Sequence, residues 1–201
     1  MNKRDFLRLA GLSAASAAWV GLAACSDPKP SFNAVDMTGA DYAKDFSLTD
    51  ADGRRRTMAD FKGKVVVLFF GYAQCPDVCP TTMTEMAQVK QQLGKDGERL
   101  QVVFVTVDPE RDTASVMKAY TQAFDPGIVA LIPTPEELAA LSKDFKFYYK
   151  KVEGSTPTSY SMDHSAASYV YDPAGRLRLY ARYGSGVAPM VADVKALLAQ
   201  G

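Results

Sequence analysis

The chain has 201 residues, 47% of them apolar and 23% charged, enough to bury a full core without disulfide staples. Its 23 Lys and Arg balance 23 Asp and Glu, so no basic stripe speaks for a nucleic-acid partner and no acidic tail for a solvating role. One domain is the expected size, with any partner recognised locally.

The first 24 residues read as an export signal rather than fold. Lys3, Arg4 and Arg8 make a basic start, residues 9–24 are apolar and rich in small side chains, and Leu22-Ala23-Ala24-Cys25 closes the segment. That ending resembles a bacterial lipobox, in which Cys25 becomes the lipidated first residue. Lys3-Arg4-Asp5-Phe6-Leu7-Arg8 resembles a twin-arginine signal with its first Arg replaced, so the export route stays open. An uncleaved anchor is the plainer alternative. Removal of 1–24 leaves 20 basic against 22 acidic residues. Residues 25–42 hold Pro28 and Pro30 and read as a lipid-bearing tether, ahead of a domain at 43–201.

Within the domain, residues 46–49 and 55–58 flank Asp52-Gly53 as a hairpin. Residues 65–70, Val-Val-Val-Leu-Phe-Phe, form a strand apolar on both faces. Met83, Met86, Val89 and Leu93 at helical spacing predict a helix after Pro80, with Cys79 as its cap because Pro suits a first helical position. Residues 100–107 are the next strand, and Thr113, Val116, Met117, Tyr120 and Phe124 mark a second helix. Thr134-Pro135-Glu136-Glu137 is a capping box opening a third. Residues 167–171 and 177–183 bracket Asp172-Pro173-Ala174-Gly175 as a hairpin, and 189–198 close the chain as a helix. The order predicts an α/β fold, a central mixed sheet with helices on both faces, whose function gathers at the carboxyl ends of its strands.

Gly71-Tyr72-Ala73-Gln74-Cys75-Pro76-Asp77-Val78-Cys79-Pro80 stands at such an end. With Cys25 lipidated, Cys75 and Cys79 are the only free thiols, placed at a helix N-terminus that favours thiolate. Their three-residue spacer admits a soft metal ion, dithiol redox chemistry or a plain extracytoplasmic disulfide. His164, the only histidine, lies just ahead of the 167–171 strand, where it could face the cysteine loop. Two thiolates and an imidazole suit copper, whereas zinc would want a fourth protein ligand. Met83 and Met86 fit a core stripe, and neither they nor Met162 are read as ligands.

These motifs, followed by Val107-Asp108-Pro109-Glu110-Arg111-Asp112-Thr113, Tyr160 and Asp163-His164-Ser165, resemble the Sco/SenC family over most of the mature domain. The resemblance implies a thioredoxin-like fold and a membrane-tethered copper chaperone in the bacterial envelope, facing the periplasm. It implies that Cys75, Cys79 and His164 bind copper for the CuA site of cytochrome c oxidase. The implied partners are the oxidase subunit that carries that site and a periplasmic thioredoxin-like reductant, with another copper chaperone as candidate donor. Asp163 is read as an acceptor orienting the imidazole or as a turn cap. The 108–112 segment is read as a strand-to-helix turn with capping carboxylates and an Arg111 ion pair.

The competing reading is a thiol-disulfide oxidoreductase that reduces the cysteines of the oxidase copper site through the redox-active pair Cys75 and Cys79. Such an enzyme commonly faces its dithiol with a cis-proline, for which Pro157 is the nearest candidate. A peroxidase reading finds no threonine and arginine set around a peroxidatic cysteine.

Overall fold

The computed structural model describes residues 31–156 and 159–200. The leader 1–24, Cys25 and Pro157 lie outside the described residues. The chain from Phe32 onward is one compact unit.

Its first strand is Val35–Asp36 (β1), followed by a hairpin of Ser47–Asp50 (β2) and Arg55–Thr57 (β3). Gly53, at φ +80, supplies the left-handed turn residue of that hairpin. Val65–Gly71 (β4) is buried at every position, as its unbroken β-branched and aromatic run requires. Val78–Gln92 (α1) then crosses back so that Leu100–Thr106 (β5) lies parallel to β4. Ala114–Gln122 (α2) makes the same kind of crossover to Val129–Ile132 (β6), parallel to β5. Pro135–Asp144 (α3) follows, then the separate two-stranded sheet of Tyr149–Val152 (β7) and Ser161–His164 (β8). Ala167–Tyr171 (β9), Leu177–Arg182 (β10) and Val187–Leu198 (α4) end the chain.

The eight-stranded sheet runs β1-β10-β9-β4-β5-β6-β2-β3, parallel through β4, β5 and β6 and antiparallel outside them. A mixed α/β sheet is therefore what the pattern predicted. β4 and β5 are buried throughout, and α1 packs on α4 beside them. The two free cysteines sit beyond the carboxyl end of β4.

Three details differ from the expectation. α1 begins at Val78 with Asp77 as its cap, so Cys79 is a first-turn residue and Pro80 the third helical one. Amides of the first turn have no intrahelical acceptor, and Pro80 forfeits nothing there. In α2, Thr113 is the cap, accepting from the Val116 amide at 3.4 Å, and Val116 faces outward. The segment read as a tether joins the fold from Phe32. Buried Asp193 of α4 accepts the Asn33 and Ala34 amides at 2.8 and 2.9 Å, β1 pairs with β10, and Phe32 packs on the core. A two-residue strand has no period to read.

Candidate metal centre

β4 reaches Gly71, whose carbonyl accepts the Val107 amide of the neighbouring segment at 2.8 Å. The chain then leaves the sheet and turns, with the Cys75 amide donating to the Tyr72 carbonyl at 3.2 Å. Cys79 is fully buried and Cys75 half-buried, both thiols free. The Cys79 amide donates to Cys75 Sγ at 3.4 Å, so the positive end of α1 acts directly on that sulfur. Gly71 leaves the space that Cys79 fills: a Cβ there would stand 2.7 Å from Cys79 Sγ.

His164 ends β8 opposite Tyr149 of β7. Its Nδ1 lies 3.0 Å from the Ser165 carbonyl, an oxygen that can only accept, so Nδ1 carries the hydrogen. Nε2 is then directed at the sulfurs, 3.5 Å from Cys79 Sγ. Phe69 and Tyr72 meet the imidazole edge-on, at 6.0 and 5.9 Å between centroids. Asp163 does not orient the ring. It is exposed and stands opposite Lys150 in the strand register, and adjacent residues of a strand point to opposite sides. The orienting acceptor is the Ser165 main chain.

One donor atom each from Cys75, Cys79 and His164 lies within 4.8 Å of the others, a grouping that could hold a metal ion. Metal bonds of about 2.3 Å to sulfur and about 2.0 Å to nitrogen set trigonal donor atoms roughly 3.7 Å apart. The 3.5 Å between Cys79 Sγ and His164 Nε2 needs little adjustment. Two thiolates and a neutral imidazole make a soft set suited to monovalent copper. Met83, Met86 and Met162 are buried with the core.

The dithiol is electrically uneven. Hydrogen bonding from the Cys79 thiol pulls the Cys75 thiol down to about 4, helped by the Asp77 and Cys79 amides against the cost of burial. Cys79 is pushed up, first by donating that hydrogen bond and then by burial. Cys75 is therefore a thiolate at neutral pH while Cys79 keeps its proton. Alkylation by iodoacetamide should label Cys75 first and stay fast as pH falls from 8 to 5, slowing only as pH drops through about 4. A rate that already collapses between pH 9 and 7, as for an ordinary thiol near 8.5, contradicts this assignment.

The 108–112 segment does more than sequence reasoning gave it. The turn and ion pair are present, with Arg111 Nε 2.5 Å from Asp108 Oδ2. Beyond them, Arg111 Nη1 donates to the Tyr160 carbonyl at 2.8 Å and to Gln74 Oε1 at 3.1 Å. Fully buried Asp112 accepts from the Thr106 hydroxyl at 2.6 Å and the Ala73 amide at 3.1 Å, and burial raises its carboxyl. The only sequence signal was four charged residues, Asp108, Glu110, Arg111 and Asp112, crowded behind a largely apolar strand.

The strand-to-helix dithiol on this mixed sheet, faced by a histidine from a neighbouring hairpin, defines a thioredoxin-like domain with a soft-donor site. The SCO1/SenC family model matches residues 35–199, and the chain belongs to that family. The mitochondrial SCO2 homolog of Bos taurus is 41% identical over 133 residues, covering 65% of this chain and 50% of the relative, so the match spans about half of that protein. The structure of Bradyrhizobium japonicum ScoI with copper bound is 38% identical at a TM-score of 0.70, covering 76% of this chain and 97% of that one. A SCO1/SenC family lipoprotein from Bacillus anthracis is 26% identical at a TM-score of 0.65, covering 76% and 92% respectively.

Proposed function

We propose that this protein is a membrane-tethered copper chaperone that holds the ion through Cys75, Cys79 and His164 and delivers it to the CuA site of cytochrome c oxidase. The observation that carries the reading is the convergence of three soft donor atoms within 4.8 Å at the carboxyl end of the sheet. The copper held by the Bradyrhizobium relative supports it. Cys75 Sγ, already a thiolate, makes the first bond. Cys79 makes the second as its proton leaves to solvent, and the His164 Nε2 lone pair makes the third. Release reverses these steps as thiolates of the recipient displace the sulfurs one at a time. A Cys75–Cys79 disulfide cannot bind, so two electrons from a periplasmic thioredoxin-like reductant, with one proton taken up by Cys79, prepare the site. Another copper chaperone is the candidate donor. Export through 1–24, lipidation at Cys25 and a periplasm-facing position in the bacterial envelope complete the proposal, which the lipoprotein relative supports. Among the described residues no helix is long and apolar enough to cross a membrane.

The lowered Cys75 thiol favours one second reading, a dedicated thiol-disulfide oxidoreductase that reduces the recipient's cysteines. Reduced, copper-loaded protein mixed with a reduced, copper-free CuA domain separates the two. The chaperone reading expects bound copper to move to the CuA domain, whose absorption bands develop when a one-electron oxidant such as ferricyanide is then added. No transfer, together with reduction of the oxidised domain by the metal-free protein, establishes the oxidoreductase instead.

A further inference from the structure

The three donor atoms come from two segments 85 residues apart, and the strand that carries His164 belongs to a sheet that shares no ladder with the main one. Main-chain pairing brings the two segments near each other, since Ser168 of β9 lies opposite Phe69 of β4, but no ladder holds the histidine-bearing strand itself against the cysteine loop. A side chain that spans the two segments is Arg111, beside Tyr72, which bonds the Met162 main chain. Nη1 reaches both the Tyr160 carbonyl, just ahead of β8, and Gln74, next to Cys75, while Nε is fixed by Asp108. The guanidinium carbon sits 3.5 Å from the Tyr160 ring centroid and 5.8 Å from that of Tyr72, whose own ring meets His164 edge-on. Asp108 Oδ1 accepts the Tyr160 hydroxyl at 2.8 Å, and the neighbouring Asp112 holds the Ala73 amide of the cysteine loop. One turn, 108–112, thus grips both sides of the site.

We infer that Arg111 is a positioning residue for the metal centre, joining the cysteine loop to the histidine-bearing hairpin and so setting the reach of His164 to the sulfurs. A planar fork with several donors and a stacking face can serve two acceptors, a carboxylate and an aromatic ring at once, and a lysine cannot. The inference rests on the copper reading. Partners that orient metal ligands typically alter affinity by about 10- to 100-fold when removed.

The test is monovalent copper affinity, by competition with a chromophoric chelator, for the reduced parent, Arg111→Gln, His164→Ala and the double variant. Arg111→Gln should bind about tenfold more weakly than the parent, yet lose less than about twofold further affinity once His164 is absent, because it acts through that residue. The Cys75–Cys79 dithiol–disulfide equilibrium should change less than about twofold. Parent-like affinity overturns the inference, and so does the same tenfold loss with and without His164. If Arg111→Gln does not fold, Arg111→Lys decides by the same two comparisons: it keeps the charge and loses the fork, and parent-like affinity again overturns the inference. Equal affinity of parent and His164→Ala would instead overturn the three-donor copper reading itself.

Discussion

Cys79→Ser should give a folded protein that has lost tight copper binding. The residue is fully buried in the first turn of α1, and serine is nearly isosteric there, with Cys75 Sγ and His164 Nε2 at hand as partners for its hydroxyl. What changes is the chemistry of the donor. A hydroxyl does not ionise near neutral pH and is a hard ligand, so a soft monovalent ion loses one of its two sulfurs. Four-donor zinc sites provide about 10–16 kcal/mol, roughly 3 kcal/mol per donor, which corresponds to about a hundredfold or more in affinity. Competition with a chelator reads this loss, and a cooperative unfolding transition shows that the fold survives. A variant that keeps copper at parental affinity removes Cys79 from the site.

The second large effect belongs to a residue with no chemistry of its own. In Gly71→Ala the new methyl would stand 2.7 Å from Cys79 Sγ, 2.7 Å from Phe69 Cε1 and 2.9 Å from Phe104 Cζ. None of these can give way easily. Phe69 and Phe104 are fully buried and pack on each other at 5.7 Å, and Gly71 is itself held in the ladder opposite Thr106. Overpacking of this kind costs about 1–3 kcal/mol, and for a domain of this size each kcal/mol lowers Tm by about 2–4 °C. The freest of the three atoms is the sulfur, so the strain is relieved by moving a metal donor, and copper affinity should fall by about tenfold or more. Gly53→Ala is the control. It meets a positive φ rather than a clash, in the β2–β3 turn with open space around it, and should lower Tm while leaving copper binding unchanged. If Gly71→Ala binds copper as the parent does, Cys79 Sγ does not lie against Gly71.

Much of the frame was readable because its local signals agree. The unbroken apolar run 65–70 could only be a central strand, and Thr134 with Glu137 forms the capping box its spacing announces, the Thr134 hydroxyl accepting the Glu137 amide at 3.2 Å. β6 escaped because five apolar residues in a row between Gly127 and Pro133 carry no readable period. β7 escaped because Tyr149–Val152 is largely exposed and bears two lysines, with none of the alternation of a half-buried strand. The thiols and the imidazole were conspicuous by residue type alone. Their separation was not, since it depends on a hairpin no pattern revealed. Asp163 looked suited to orient His164 because it is adjacent in sequence, and strand geometry is what rules that out. The role of Arg111 was out of reach for a related reason: residues 74, 111 and 160 meet only in the folded chain.

The central claim is that Cys75, Cys79 and His164 form a single copper site. Anaerobic titration of the reduced protein and its His164→Ala variant with monovalent copper, followed by the divalent-copper spectrum of each, tests it most directly. The parent should bind one ion per chain, and the variant should bind at least about tenfold more weakly with an altered spectrum. Unchanged affinity together with an unchanged spectrum would contradict the account.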